Sequence, residues 1–165
     1  MYLYISQEEV APKYDKIGGW LFLVAIGMVL TPIRLSTFIL KDVLPAFNKE
    51  TWTIITTPGS EVYHPLFGPL MIGELITNVL FLIFSIVVAV LFFQRKKIVP
   101  KLTIILYITY FVFLVVDYFV TDLVPFVAAQ DNSDTERQII QTFFTCAIWV
   151  PYFIVSKRVK GTFVK

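Results

Sequence analysis

Four apolar blocks, residues 17–40, 70–93, 98–124 and 139–156, constrain this chain more than any other feature. Apart from Lys101 beside a loop, the charges they keep are Arg34, Glu74, Asp117 and Asp122. Each block is close to or above the roughly 20 residues a helix needs to cross a ~30 Å hydrocarbon layer. Backbone amides in lipid have no water to bond, so they must pair within their own segment. Four apolar blocks therefore predict an all-α membrane protein, a bundle of four transmembrane helices.

Little chain is left over. The hydrophobic fraction is 57%, against the 45–50% or so usual in soluble domains. The remainder is a polar lead-in over residues 1–16, an outer loop at 41–69, two short loops and a tail. A single membrane domain over 1–165 is expected. The first block is too long for the 7–15 apolar residues or so of a signal peptide, follows Glu8 and Glu9, and lacks a small-residue cleavage site. It is expected to stay as the first helix.

Charge sorts by location. Lys13, Lys16, Arg95, Lys96, Lys97, Lys101, Lys157, Arg158, Lys160 and Lys165 flank the helix ends on one side, against Lys41, Lys49 and Arg137 on the other. Cytoplasmic loops carry the excess of Lys and Arg. Both termini and the second loop are thus expected in the cytoplasm, with the first and third loops outside. The basic loop and tail suit anionic lipid head groups, so the bilayer itself is the expected partner. Nucleic acid is not, because the charges flank helix ends without interleaved aromatics.

Within the outer loop, the β-branched run Thr51–Thr57 favours a short strand closed by Pro58-Gly59-Ser60. Tyr63–Pro69, with two prolines and a glycine, favours a turn or a partly re-entrant entry to the second helix. Pro32 removes a backbone bond toward Met28 and predicts a kink, with Thr31 able to satisfy part of the freed backbone. Pro151 predicts a second kink near the end of the fourth helix.

Polar residues fall on one stripe of each helix, at spacings of three and four. They are Thr31 and Arg34 in the first; Glu74, Asn78 and Ser85 in the second; Tyr107, Tyr110, Asp117 and Thr121 in the third; Thr142, Thr145 and Cys146 in the fourth. Counted at 1.5 Å per residue, Arg34, Glu74 and Asp117 all lie about 6–9 Å inside the outer boundary. Intramembrane ionisable groups normally pair or line wet cavities, and a guanidinium has donors enough for two carboxylates. The spacing thus predicts an Arg34–Glu74–Asp117 cluster supported by Asn78, with Asp122 solvated at the interface. Such a cluster holds helices in register or forms a ligand or proton site. The third alternative has Arg34 snorkelling outward, so that the three never meet.

Gly18-Gly19-Trp20-Leu21, the later Pro32-Ile33-Arg34, and Tyr63-His64-Pro65 ahead of a helix bearing Glu74 and Asn78 resemble the bacterial family known as domain of unknown function 2569. The similarity runs from about Tyr14 to Val159. It implies a small four-helix protein of the bacterial inner membrane and brings no activity with it.

For function, a non-enzymatic accessory or binding protein is expected, free or partnered with another membrane protein. The alternative is an oligomeric transporter or channel subunit that uses the buried carboxylates. No enzyme is expected. A zinc site needs three or four His, Cys or carboxylate ligands, whereas His64 is the sole histidine and Cys146 the sole cysteine. No catalytic set, metal site or cofactor is read, and a lone Cys146 excludes an intramolecular disulfide relay.

Overall fold

The computed structural model describes residues 16–164. The polar lead-in expected over 1–16, and the cations Lys13 and Lys165, fall outside the described residues except for Lys16. Among the described residues the chain is helical throughout. Four helices are long and apolar enough to cross a membrane: Trp20–Phe47, Phe67–Phe93, Val99–Thr121 and Ser133–Val155.

The first rod is α1 (Trp20–Phe38), continued without a break by a π turn at Ile39–Val43 and a 3-10 turn at Leu44–Phe47. Pro45 explains the change of winding. It has no N–H to return to Lys41, and its ring crowds that carbonyl, which weakens the α pattern there. Apolarity ends near Leu40, but helicity does not. The outer loop therefore shrinks from 41–69 to the residues between Phe47 and Phe67. Earlier in α1 the helix runs on through Pro32. Thr31 Oγ1 donates to the Gly27 carbonyl at 2.8 Å, one residue away from the Met28 carbonyl that Pro32 leaves free.

The expected strand at Thr51–Thr57 is a helix, α2 (Lys49–Thr56). Asn48 decides it: its Oδ1 accepts from the Thr51 N–H at 2.8 Å, and its Nδ2 donates to the Pro45 carbonyl at 2.8 Å. A capped first turn with Glu50 near the positive helix end is a helix start. The threonines that favoured a strand bond back along the helix instead. Thr53 donates to the Lys49 carbonyl and Thr56 to that of Trp52, both at 2.7 Å.

α3 (Phe67–Phe93) begins directly after a turn. Pro69 sits in its first turn, where no N–H partner is lost. α2 lies across this end: a Cβ on Gly68 would come within 3.3 Å of Thr56 Cγ2. The other end closes with Arg95 in the left-handed region at φ 58. The Lys96 N–H reaches the Leu91 carbonyl at 3.2 Å and the Arg95 N–H that of Phe92 at 3.0 Å. That is a Schellman turn, and it folds α4 (Val99–Thr121) back against α3.

A four-residue turn of helix, α5 (Pro125–Ala128), follows. Next, α6 (Ser133–Val155) starts six residues before its apolar block because Asp134 and Glu136 favour the first turn of a helix. It runs on through Pro151. The chain ends in α7 (Lys157–Thr162), whose first turn is capped by Ser156 Oγ accepting from the Val159 N–H at 3.4 Å.

Packing follows chain order: α1 on α3, α3 on α4, and α4 on α6, while α1 and α6 scarcely touch. The well-packed core lies toward the basic end of the bundle. There Leu21, Val24, Met28, Val88, Phe92 and Phe153 meet Val159 and Phe163 of the tail. Phe163 folds against Phe92 with ring centroids 5.2 Å apart. Only 6% of the apolar window of α6 is buried, so this helix presents most of its surface to lipid. Association within lipid rests on close packing and interhelical bonds rather than on escape from water. A tight basic end thus coexists with a loose far end.

Candidate functional site

The loose end contains the polar groups. Arg34 and Leu35 of α1, Phe81 of α3, Leu106, Tyr107 and Tyr110 of α4, and Thr142, Thr145 and Cys146 of α6 enclose, with Thr31, a hollow of about 150 Å³. A second hollow of about 300 Å³ adjoins it toward the α2 end, lined by Arg34, Leu35, Thr37, Phe38, Asp42, Tyr110 and Gln138. Arg34, Leu35 and Tyr110 line both.

Three hydrogen bonds between α4 and α6 frame these spaces. Tyr118 donates to Glu136 Oε1 at 2.9 Å, Gln138 Nε2 donates to the Tyr110 hydroxyl at 2.9 Å, and Cys146 Sγ donates to the Tyr107 carbonyl at 3.3 Å. The Tyr110 ring is also fixed edge-on against Phe81, with centroids 5.1 Å apart. Arg34 has no such tie. It is exposed, and no ion pair or hydrogen bond joins it to another described residue.

The Arg34–Glu74–Asp117 cluster is therefore not formed. Glu74 is half-buried and lines neither hollow. Asn78 is buried but serves its own helix, donating from Nδ2 to the Glu74 main-chain carbonyl at 2.9 Å. Asp117 is half-buried and lines neither hollow. Asp122 is exposed at the end of α4, as expected of an interfacial residue. The expected depth of Arg34 was counted from a helix end at Leu40, whereas the rod runs on to Phe47. What failed was rotation: packing α1 on α3 in the observed register turns Arg34 toward α4 and α6. Arg34, Glu74 and Asp117 do not meet, and Arg34 lines the hollows between α1, α4 and α6 instead.

The stripes of α1, α4 and α6 do converge, through Thr31, Tyr107, Tyr110, Thr142, Thr145 and Cys146. Sequence reasoning missed Asp42 and Gln138. Both carried a usable signal: Asp42 lies two steps of four beyond Arg34, and Gln138 lies four before Thr142. They were passed over because they fell outside the apolar blocks.

A family model for proteins of unknown function, DUF2569, matches residues 14–164. The chain belongs to the DUF2569 family. It is also similar to inner membrane protein YdgK of Escherichia coli (strain K12), 30% identical over 150 residues, covering 91% of this chain and 94% of that protein. No solved structure matches. As a DUF2569 protein with four helices able to span a membrane, it shares the inner-membrane location of that relative.

The DUF2569 motifs have structural roles here. Gly19 takes φ 57 where the chain turns into α1, a left-handed conformation that suits glycine. The Arg158 side chain lies on this turn: a Cβ on Gly18 would fall 2.9 Å from its guanidinium nitrogen. His64 belongs to a turn, its Nδ1 accepting from the Leu66 N–H at 3.4 Å. Arg34, which closes the Pro32-Ile33-Arg34 motif, faces the two hollows.

Proposed function

We propose that this DUF2569 protein is a non-enzymatic binding module of the inner membrane, holding an anionic group at Arg34 in the half of the bundle away from its basic end. The observation that supports this is a guanidinium with no ion pair or hydrogen bond among the described residues, lining two adjoining hollows. Charged groups at membrane depth are costly unless paired or facing a wet cavity, so an unpaired Arg34 favours a ligand that supplies the counter-charge. Thr31, Tyr107, Thr142 and Thr145 add hydroxyls around it. A cavity near 150 Å³ is large enough for a benzene-sized group. With the basic loop and α7 in the cytoplasm, as the excess of Lys and Arg favours, the hollows belong to the outer leaflet.

Dodecyl phosphate added to the purified protein in dodecyl maltoside tests the reading. At a hundredfold excess over its Kd, it should raise the melting temperature of the wild type by about 5 °C. Arg34→Gln should melt as the wild type does without the probe, because Arg34 makes no ion pair or hydrogen bond among the described residues, and should gain little with it. An equal gain in both proteins overturns the assignment of Arg34.

A further inference from the structure

The hollow on the α2 side carries charge of both signs. Arg34 and Asp42 line it together, eight residues apart on one rod, or about 12 Å along the axis, and they form no ion pair. Asp42 belongs to the π turn that packs on α3, the helix bearing Glu74. A simple anion would satisfy Arg34 and leave Asp42 facing like charge. A group with an anionic centre and an ammonium a few ångströms apart satisfies both walls.

The neighbouring hollow has another character. Leu35, Phe81 and Leu106 give it apolar walls, and it lies between α1 and α6, which both line it. An acyl chain suits these walls, and a polar head suits the adjoining hollow.

Resting on the reading of Arg34 as an anion site, we infer that the ligand is a zwitterionic aminophospholipid entering from the outer leaflet between α1 and α6. Its phosphate pairs with Arg34 and its ammonium with Asp42, and the start of an acyl chain passes Phe81 and Leu106. The Tyr110 hydroxyl, held by Gln138, stands where the two hollows join. Asp42 is then the residue that separates an aminophospholipid from an anionic lipid of the same chain length.

Native mass spectrometry of the full-length protein in detergent reads this out, with phosphatidylethanolamine and phosphatidylglycerol of identical acyl chains as probes and free phosphoethanolamine as the soluble arm. The wild type should prefer phosphatidylethanolamine by about tenfold, the usual worth of one charge-assisted hydrogen bond. Asp42→Asn should abolish the preference without weakening phosphatidylglycerol, and Arg34→Gln should weaken both lipids. Equal binding of the two lipids by the wild type, or a preference that survives Asp42→Asn, overturns the inference. The anion reading stands in that case if Arg34→Gln still weakens both, and falls with it if Arg34→Gln weakens neither. Phosphoethanolamine binding as tightly as the lipid overturns the bilayer as the source. Arg34→Lys, which keeps the charge, should retain most of the binding and guards against misfolding of the glutamine variant.

Discussion

Gln138 Nε2 and the Tyr110 hydroxyl meet at 2.9 Å, fastening α6 to α4 where the two hollows adjoin. Elsewhere α6 has little buried surface, so such interhelical bonds bear much of its attachment. Within membranes they are worth about 0.6 kcal/mol on average and at most about 1.7. Tyr110→Phe and Gln138→Leu should each lower stability by roughly that amount. A double-mutant cycle in a denaturant titration should give a coupling of about 0.5–1.5 kcal/mol. Additive losses would mean the bond carries no stability.

Gly19 and Gly27 should respond oppositely to alanine. Gly19 holds φ 57 beneath the Arg158 side chain, and a left-handed non-glycine residue costs roughly 1–2 kcal/mol. Gly27 lies inside α1 with nothing within 4 Å of an added Cβ, so alanine there should be neutral or stabilising by up to about 1 kcal/mol. Thermal melts of Gly19→Ala and Gly27→Ala in one detergent compare the two signs directly.

Thr103 is wholly buried in α4, and its hydroxyl has no hydrogen-bond partner among the described residues. An unsatisfied buried hydroxyl costs about 1–3 kcal/mol. Thr103→Val keeps the shape and removes the polar atom, so it should raise stability by about 1 kcal/mol. A variant that melts lower than the wild type would show that the hydroxyl has a partner, such as an internal water.

Asn48 caps α2, and its loss should cost about 1 kcal/mol locally. Asn48→Ala should speed amide hydrogen exchange over Lys49–Thr56 while leaving α3 and α4 unchanged. Uniform acceleration in all of them would show that α2 is part of the cooperative unit of the bundle.

Much of the fold was legible because membrane helices advertise themselves by composition. The boundaries were less so. Pro45 and the polar start at Ser133 do not stop a helix whose amides can still find carbonyls, yet both lie outside the apolar blocks. At Thr51–Thr57 a cap outweighed β-branching, since Asn48 satisfies a first-turn N–H that a propensity count does not see. Of the predicted site, the convergence of α1, α4 and α6 was legible through period and depth. The pairing of Arg34 with Glu74 and Asp117 was a guess about rotation, and depth carries no information on rotation.

By itself the sequence determined four apolar spans, since these follow from transfer energies along one segment. Only the tertiary structure decided which stripes face which. That choice rests on side-chain packing between segments far apart in the chain, Phe163 against Phe92 and α1 against α3. Such contacts leave Arg34 lining a hollow with Tyr110 and Asp42 rather than paired with Glu74 and Asp117.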